Sequence, residues 1–390
     1  MTKFGKTAFV LGTIILLVIV VAILYRNQIF RSFYRPTQTL LEDGVKVDVD
    51  NDTEFRKVNE SPESAIEIVA DNLQIPWEIV FLPEGDLLVT ERPGILKRIG
   101  KDGQTYTIEG VEHVGEGGLL GMALHPQFSE NRWLYLYFTT NIGSGLKNRV
   151  ERYRFEGNRL SEKTIIISNI PGAAHHDGGR IVFGPDGYLY ITTGDAGSSD
   201  VAQDINSLAG KILRLKDDGS IPSDNPFGNE VYSYGHRNSQ GIAWDDEGRL
   251  WATEHGRSGI FSGFDELNLI EKGKNYGWPV IQGNERKKEM ISPIVQSGPN
   301  ETWAPAGASF WDSSIFFGGL RGESLYEAKI LDEDKVFIKA HFRQEFGRIR
   351  AVVLGPDGYL YITTSNTDGR GNLNPNDDKI IRINPSIFRD

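Results

Sequence analysis

FGPDGYLYITTGD, residues 183–195, and LGPDGYLYITTSN, residues 354–366, are near copies of one segment set half the chain apart. Each starts apolar, passes through a Pro-Asp-Gly turn and continues as a strand of alternating character. Gly tolerates positive φ, so the Asp-Gly pair suits a tight hairpin. FLPEGDLLVTERPG (81–94) and WDDEGRLWATEHG (244–256) are weaker echoes. A further strand-like run follows each copy: ILKRI, KILRL, DELNLI and KIIRI. Two more units lack the Asp-Gly turn but keep the spacing. One holds GLLGMALHP, RWLYLYFTT and RVERYRF; the other holds AGASFW, SIFFGGLRG and SLYEAKI. About six units of roughly 50 residues predict a repeat array in which each unit is a small meander. No such unit buries its apolar face alone, and radial packing solves that while protecting strand edges. The expected fold is therefore all-β, a six-bladed β-propeller over residues 65–390. A β-sandwich would not explain near-identical segments half a domain apart. Long amphipathic helices are absent, which argues against an α/β fold.

The chain contains no cysteine, which excludes disulfides, thiol nucleophiles and cysteine-ligated metal centres. A formal net charge of -11 argues against nucleic acid as a partner, because phosphates call for an excess of Lys and Arg. Ahead of the repeats, AFVLGTIILLVIVVAILY (8–25) is uncharged and long enough to span a bilayer as a helix. A cleaved signal peptide is the rival reading. Its apolar core is usually about 7–15 residues and ends at small residues, whereas here bulky Leu24 and Tyr25 precede Arg26. Residues 1–30 are thus expected to be an uncleaved transmembrane anchor and residues 31–64 a polar linker. The basic residues on the two sides of the span are too evenly matched to orient it.

In a propeller, function gathers where loops from several blades meet, so polar clusters in loops are the places to search. The strongest is AHHDGGRIVFGPDGYLYITTGDAG. His176 lies just before one strand and Asp195 ends the next, and a hairpin brings those two ends together. A carboxylate beside an imidazole orients the ring and stabilises its cation, as a general base requires. A turn-capping His and a turn Asp are the bland alternative. In YGHRNSQG, Arg237 and Asn238 offer a donor fork and an amide suited to a carboxylate-bearing ligand, or else simply brace the loop. Arg348 and Arg350 flank Ile349, so in a strand both face one side and repel unless an anion lies between them. An exposed sheet edge would also host them. Glu254, Asp265 and Glu266 are hard oxygen donors of the kind calcium prefers, without EF-hand spacing. GEGGLLG (115–121) lacks the dinucleotide-binding spacing, and no P-loop, HExxH or G-x-S-x-G elbow occurs.

Taken in order, EGGLLGMALHP, HHDGGRIVFGPDGYLYITTGD, GHRNSQG, EHG with DELNLIEKGKNYGWP, and GRIRAVVLGPDGYLY resemble the quinoprotein glucose/sorbosone and aldose sugar dehydrogenase family. The resemblance implies a six-bladed propeller that binds pyrroloquinoline quinone (PQQ) and Ca2+ and oxidises an aldose to its lactone. It makes His176 the catalytic base and Asp195 its supporting carboxylate. It assigns Arg237, Asn238, Arg348 and Arg350 to the cofactor, whose three carboxylates would supply the anion that the arginines lack. The carbonyls of Gly256 and Arg257 match those holding the cofactor's calcium, and Glu266 with the Tyr276 carbonyl matches a structural calcium site. Three departures stand out. Glu116 replaces a Gln that contacts substrate and cofactor, and Arg321 takes the place of a cofactor-contacting Lys. The calcium loop carries extra residues, SGIFSG, and lacks a Pro after Gly256. The expected anchor fits this resemblance: an enzyme held at the membrane with its propeller outside the cytoplasm would pass electrons to a membrane or respiratory acceptor. A non-catalytic sugar- or protein-binding propeller is the alternative that PQQ titration separates.

Overall fold

In the computed structural model, each Pro-Asp-Gly segment folds as a turn closed by one backbone hydrogen bond. Gly187 N–H donates to the Gly184 carbonyl at 2.9 Å, and Gly358 N–H to the Gly355 carbonyl at 3.0 Å. Both turn glycines hold φ 79°, where a Cβ is strained. The turn aspartate also ties strands together. Asp186 Oδ2 accepts from Tyr190 Oη (2.9 Å) and Arg214 Nε (3.0 Å), and Asp357 Oδ2 accepts from Tyr361 Oη and Arg382 Nε, both at 2.9 Å. Each guanidinium lies over a ring, Arg214 4.1 Å from Tyr188 and Arg382 3.5 Å from Tyr359. In a third unit Asp245 Oδ2 accepts from Trp251 Nε1 and Arg249 Nε. The PDGYLY copies are thus clamps that fasten a turn to its own second and third strands.

The structure describes residues 47–49, 65–100, 103–143, 145–258, 263–332 and 335–389. They form six sheets, antiparallel throughout except for one short parallel pairing in the fifth. The first strands of the six blades are Pro76–Phe81, Leu119–Leu124, Ile181–Phe183, Ser239–Trp244, Pro305–Trp311 and Ile349–Leu354. Each is followed outward by a second strand, the third blade's being Leu189–Thr193 and the sixth blade's Leu360–Thr364. Ile66–Ala70 pairs antiparallel with Ile380–Ile383, Ile66 opposite Ile383, so the two ends of the domain meet in the sixth blade and close the ring. The buried apolar residues fall into six clusters, each drawn chiefly from two neighbouring blades. Leu88 and Leu136 share one, Trp251 and Phe317 another, Val89 and Ala351 the cluster that joins the last blade to the first. This is the inter-blade burial that isolated meanders cannot achieve.

Two expectations about the N-terminal region change. Val47–Val49, within the stretch expected to be a solvated linker, runs parallel to Ile338–Ala340 as a fifth strand of the fifth blade. The expected single-pass, membrane-anchored and extracytoplasmic placement is overturned: among the described residues no helix is long and apolar enough to cross a membrane. The helical pieces named along the ring are short, such as Phe128–Asn131. Residues 8–25, on which the anchor rested, lie outside the described residues.

Candidate active site

The start of each first strand and the end of each second strand open on one mouth of the ring. The third blade places His176 and Asp195 there. His176 holds φ 60°, a costly conformation for a residue with a side chain. Backbone bonds fix it: its N–H donates to Glu116 Oε2 at 3.1 Å, and its carbonyl accepts from Ala196 N–H at 3.2 Å. Next to it, a Cβ at Gly194 would collide with the His176 carbonyl, so only glycine admits the two loops this close. The His176 Nδ1 lies 2.7 Å from Asp195 Oδ1. Asp195 also accepts from Gly197 N–H and Trp278 Nε1, both at 2.8 Å. Burial pushes its carboxyl up, but the bonds from His176, Gly197 and Trp278 outweigh that and hold it below the usual range. An ionised Asp195 only accepts, so Nδ1 carries the ring proton that faces it. The bonds around Asp195 leave Nε2 without a protein partner among the described residues.

Opposite charge gathers on the other side of the mouth. Arg348 precedes the sixth blade's first strand and Arg350 lies within it; both are buried. Arg348 donates to Asp368 Oδ2 at 2.8 Å and to the Leu320 carbonyl at 2.9 Å, which sets it beside Arg321. Arg321 N–H donates to the Trp303 carbonyl at 3.1 Å. Arg350 Nη1 donates to Gln240 Oε1 at 2.7 Å. Its guanidinium is pushed down to about 9, by burial first and then by the positive charge of Arg92, while Asp368 opposes the shift. Burial likewise lowers Arg92, and Arg370 and Arg348 add to that. Nε of Arg92, Arg348 and Arg350 and Nδ2 of Asn238 are buried without partners among the described residues. Asn238 Oδ1 is taken by Gly178 N–H at 3.0 Å, so its amide donor is the free end. Arg237 Nη2 donates to Ser258 Oγ at 2.7 Å, and its guanidinium lies 5.3 Å from the Trp278 ring. Buried cations with spare donors are costly unless an anion completes them. A ligand with several carboxylates fits this set, and the Arg348 and Arg350 pair is the buried arrangement rather than the exposed edge.

Gly256, Arg257, Glu266 and Tyr276 line one cavity with Glu254 and Trp278. Gly256 N–H donates to Asp265 Oδ1 at 2.8 Å, while Asp265 Oδ2 accepts from Trp303 and Ala304 N–H. The Glu266 carboxyl is pushed up to about 8, by burial first and then by Glu254. Two carboxylates enclosed together favour a cation between them. Among the described residues no three His, Asp or Glu side chains converge as a metal set. An ion held here would draw on backbone oxygens, which suits a hard cation such as calcium. Residues 259–262 of the SGIFSG insertion lie outside the described residues.

The glucose/sorbosone dehydrogenase family model matches residues 73–374, nearly the whole ring. The chain belongs to the glucose/sorbosone dehydrogenase family. The aldose sugar dehydrogenase YliI of Escherichia coli (strain K12) is 34% identical over 78% of this chain and 91% of its own length. The PQQ-bound aldose sugar dehydrogenase of Streptomyces coelicolor superposes with a TM-score of 0.75 at 38% identity, covering 83% of this chain and 98% of that one. Quinoprotein glucose dehydrogenase B of Acinetobacter calcoaceticus is 33% identical over 55% of this chain and 52% of its own length.

The same mouth also holds residues that the sequence motifs left unmarked. Gln240, Trp278, Asp368 and Arg370 bond groups described above, and Arg92 donates to the Gly115 carbonyl next to Glu116. Arg92 stands where the FLPEGDLLVTERPG echo leaves its second strand, the position of Gly194 beside Asp195 in the third blade, so aligning the repeats would have flagged it. Trp278 and Arg370 come from long loops with no repeat counterpart. His236, by contrast, is structural: Ser233 and Glu254 bond its two ring nitrogens and Tyr276 stacks on it at 4.8 Å.

Proposed function

We propose that this protein oxidises an aldose at its anomeric carbon to the lactone, with His176 as the general base. The carrying observation is the 2.7 Å His176–Asp195 pair facing buried, incompletely partnered arginines across one mouth. That the chain is a PQQ-dependent sugar oxidoreductase rests on its family and on its quinoprotein and PQQ-bound relatives. Arg92, Arg237, Asn238, Arg348 and Arg350 would hold the carboxylates of PQQ, with Glu116 and Arg321 at its edge. The carbonyls of Gly256 and Arg257 would hold the calcium beside it, and Glu266 with the Tyr276 carbonyl a second, structural calcium. When bound, this pair supplies a hydride acceptor and a Lewis acid.

The protein's own part is proton chemistry and positioning. Asp195 fixes the His176 ring with Nε2 turned to the mouth and stabilises the imidazolium that forms when Nε2 takes the anomeric hydroxyl proton. Trp278, held by its bond to Asp195, walls the site and restricts water. A respiratory electron carrier would complete the cycle. Purified protein is titrated with PQQ in the presence of calcium by calorimetry, then assayed by dye reduction with a panel of aldoses. Uptake of one PQQ per chain and sugar-dependent turnover are expected. A folded protein that ignores PQQ would overturn the reading.

A further inference from the structure

Glu116 occupies a place where a carboxylate would repel a tricarboxylate ligand, yet it is fully engaged. Its Oε2 accepts the His176 backbone N–H at 3.1 Å and its Oε1 accepts from Arg370 Nη1 at 2.7 Å. Glu116 lies in the loop that enters the second blade, whereas Arg370 belongs to the loop between the second and third strands of the sixth. Burial would push the Glu116 carboxyl up, but Arg370 and His255 hold it well below the usual carboxylate range. The Glu116 N–H also donates to the Ala174 carbonyl at 2.9 Å, so its loop is sewn to the segment that carries His176. Charged and titratable groups surround this junction on every side: Asp195 and His175 from the third blade, His255 and Arg237 from the fourth, Arg92 from the first and Asp368 beside Arg370.

We infer that Glu116 and Arg370 form a cross-mouth clamp that positions His176. Glu116 grips the backbone of the base in its left-handed conformation, and Arg370 cancels the charge that would otherwise repel an anionic cofactor. Neither residue exchanges a proton with the sugar; both act through His176 and the local field. The inference rests on the proposed dehydrogenase reading for its effect on turnover, whereas the clamp itself is testable without cofactor.

Amide hydrogen exchange at His176 in cofactor-free protein reads the clamp directly. Glu116→Ala should speed exchange about tenfold, and Glu116→Gln, which keeps the acceptor oxygen, should restore protection. Glu116→Ser, too short to reach, serves if the alanine variant does not fold. In loaded enzyme the alanine variant should lose kcat by about ten- to a hundredfold with sugar KM nearly unchanged. The Arg370→Met variant leaves Glu116 uncompensated and should weaken PQQ binding about tenfold, and the Glu116→Gln, Arg370→Met double variant should recover it. Wild-type exchange at His176 in the alanine variant would overturn the clamp. So would equal PQQ affinity in wild type, the Arg370→Met variant and the double variant. A wild-type protein that binds no PQQ would instead overturn the functional reading and leave the exchange result standing.

Discussion

His176 at φ 60° marks the point where backbone strain is spent on placing one ring. Its neighbour Asp177 is a buried carboxyl whose Oδ1 accepts from Asn148 and Ala173 while Oδ2 has no partner among the described residues. Burial pushes this carboxyl up to about 6, against the lowering effect of those two bonds. A raised carboxyl contributes stability that is present below about pH 4 and is lost as pH rises through about 6. Asp177→Asn should therefore raise stability relative to wild type by about 2 kcal/mol at pH 8 and change it little at pH 4. Urea melts at the two pH values check this; equal effects at both would contradict it. The His176–Asp195 pair was legible in the sequence because a hairpin forces the two ends of adjacent strands together. Arg348 and Arg350 were legible as a pair whose repulsion asked for an anion. Arg370 was not, because it lies in a loop of the last blade outside the repeated segments, and only ring closure sets that loop beside Glu116 of the second blade.

The Asp-aromatic-Arg clamps explain why the copies read as copies. The second Tyr in each PDGYLY packs between blades and gives its hydroxyl to the turn aspartate, so the motif records a local hydrogen-bond network rather than a ligand site. Tyr361→Phe should cost about 1 kcal/mol, and so should Tyr190→Phe. The two lie in different blades and share no partner, so the losses should add to within about 0.5 kcal/mol in the double variant. Thermal melts of the four proteins test that. The fifth blade, without an Asp-Gly turn, was still recognisable from strand spacing. Its extra strand, Val47–Val49, was not, because a three-residue parallel pairing leaves no alternation in an acidic stretch.

Ring closure is the property that the blades hold in common. Six apolar clusters bridge neighbours, and the sixth blade depends on a strand from the other end of the domain. Ile383 is fully buried opposite Ile66. Replacing Ile383 with Ala should cost about 3 kcal/mol. Deleting residues 66–70 should do more, opening the ring and broadening the unfolding transition seen by calorimetry. An unchanged transition in the deletion would contradict closure by that strand. The propeller was legible because the repeats cannot bury their faces singly. The functional mouth was only partly legible, since its charge balance depends on side chains such as Asp368 and Gln240 that have meaning only around the closed ring.

An anaerobic single-turnover experiment tests the central claim most directly. Wild-type protein and the His176→Asn variant are loaded with PQQ and calcium, mixed with one aldose, and followed by the absorbance of the bound cofactor. Wild type should reduce one equivalent per chain, while the variant binds PQQ with similar affinity and reduces it about 10²- to 10⁴-fold more slowly. Reduction by the variant at the wild-type rate, or no reduction by loaded wild type with any aldose, would contradict the placement of the base opposite a tricarboxylate cofactor.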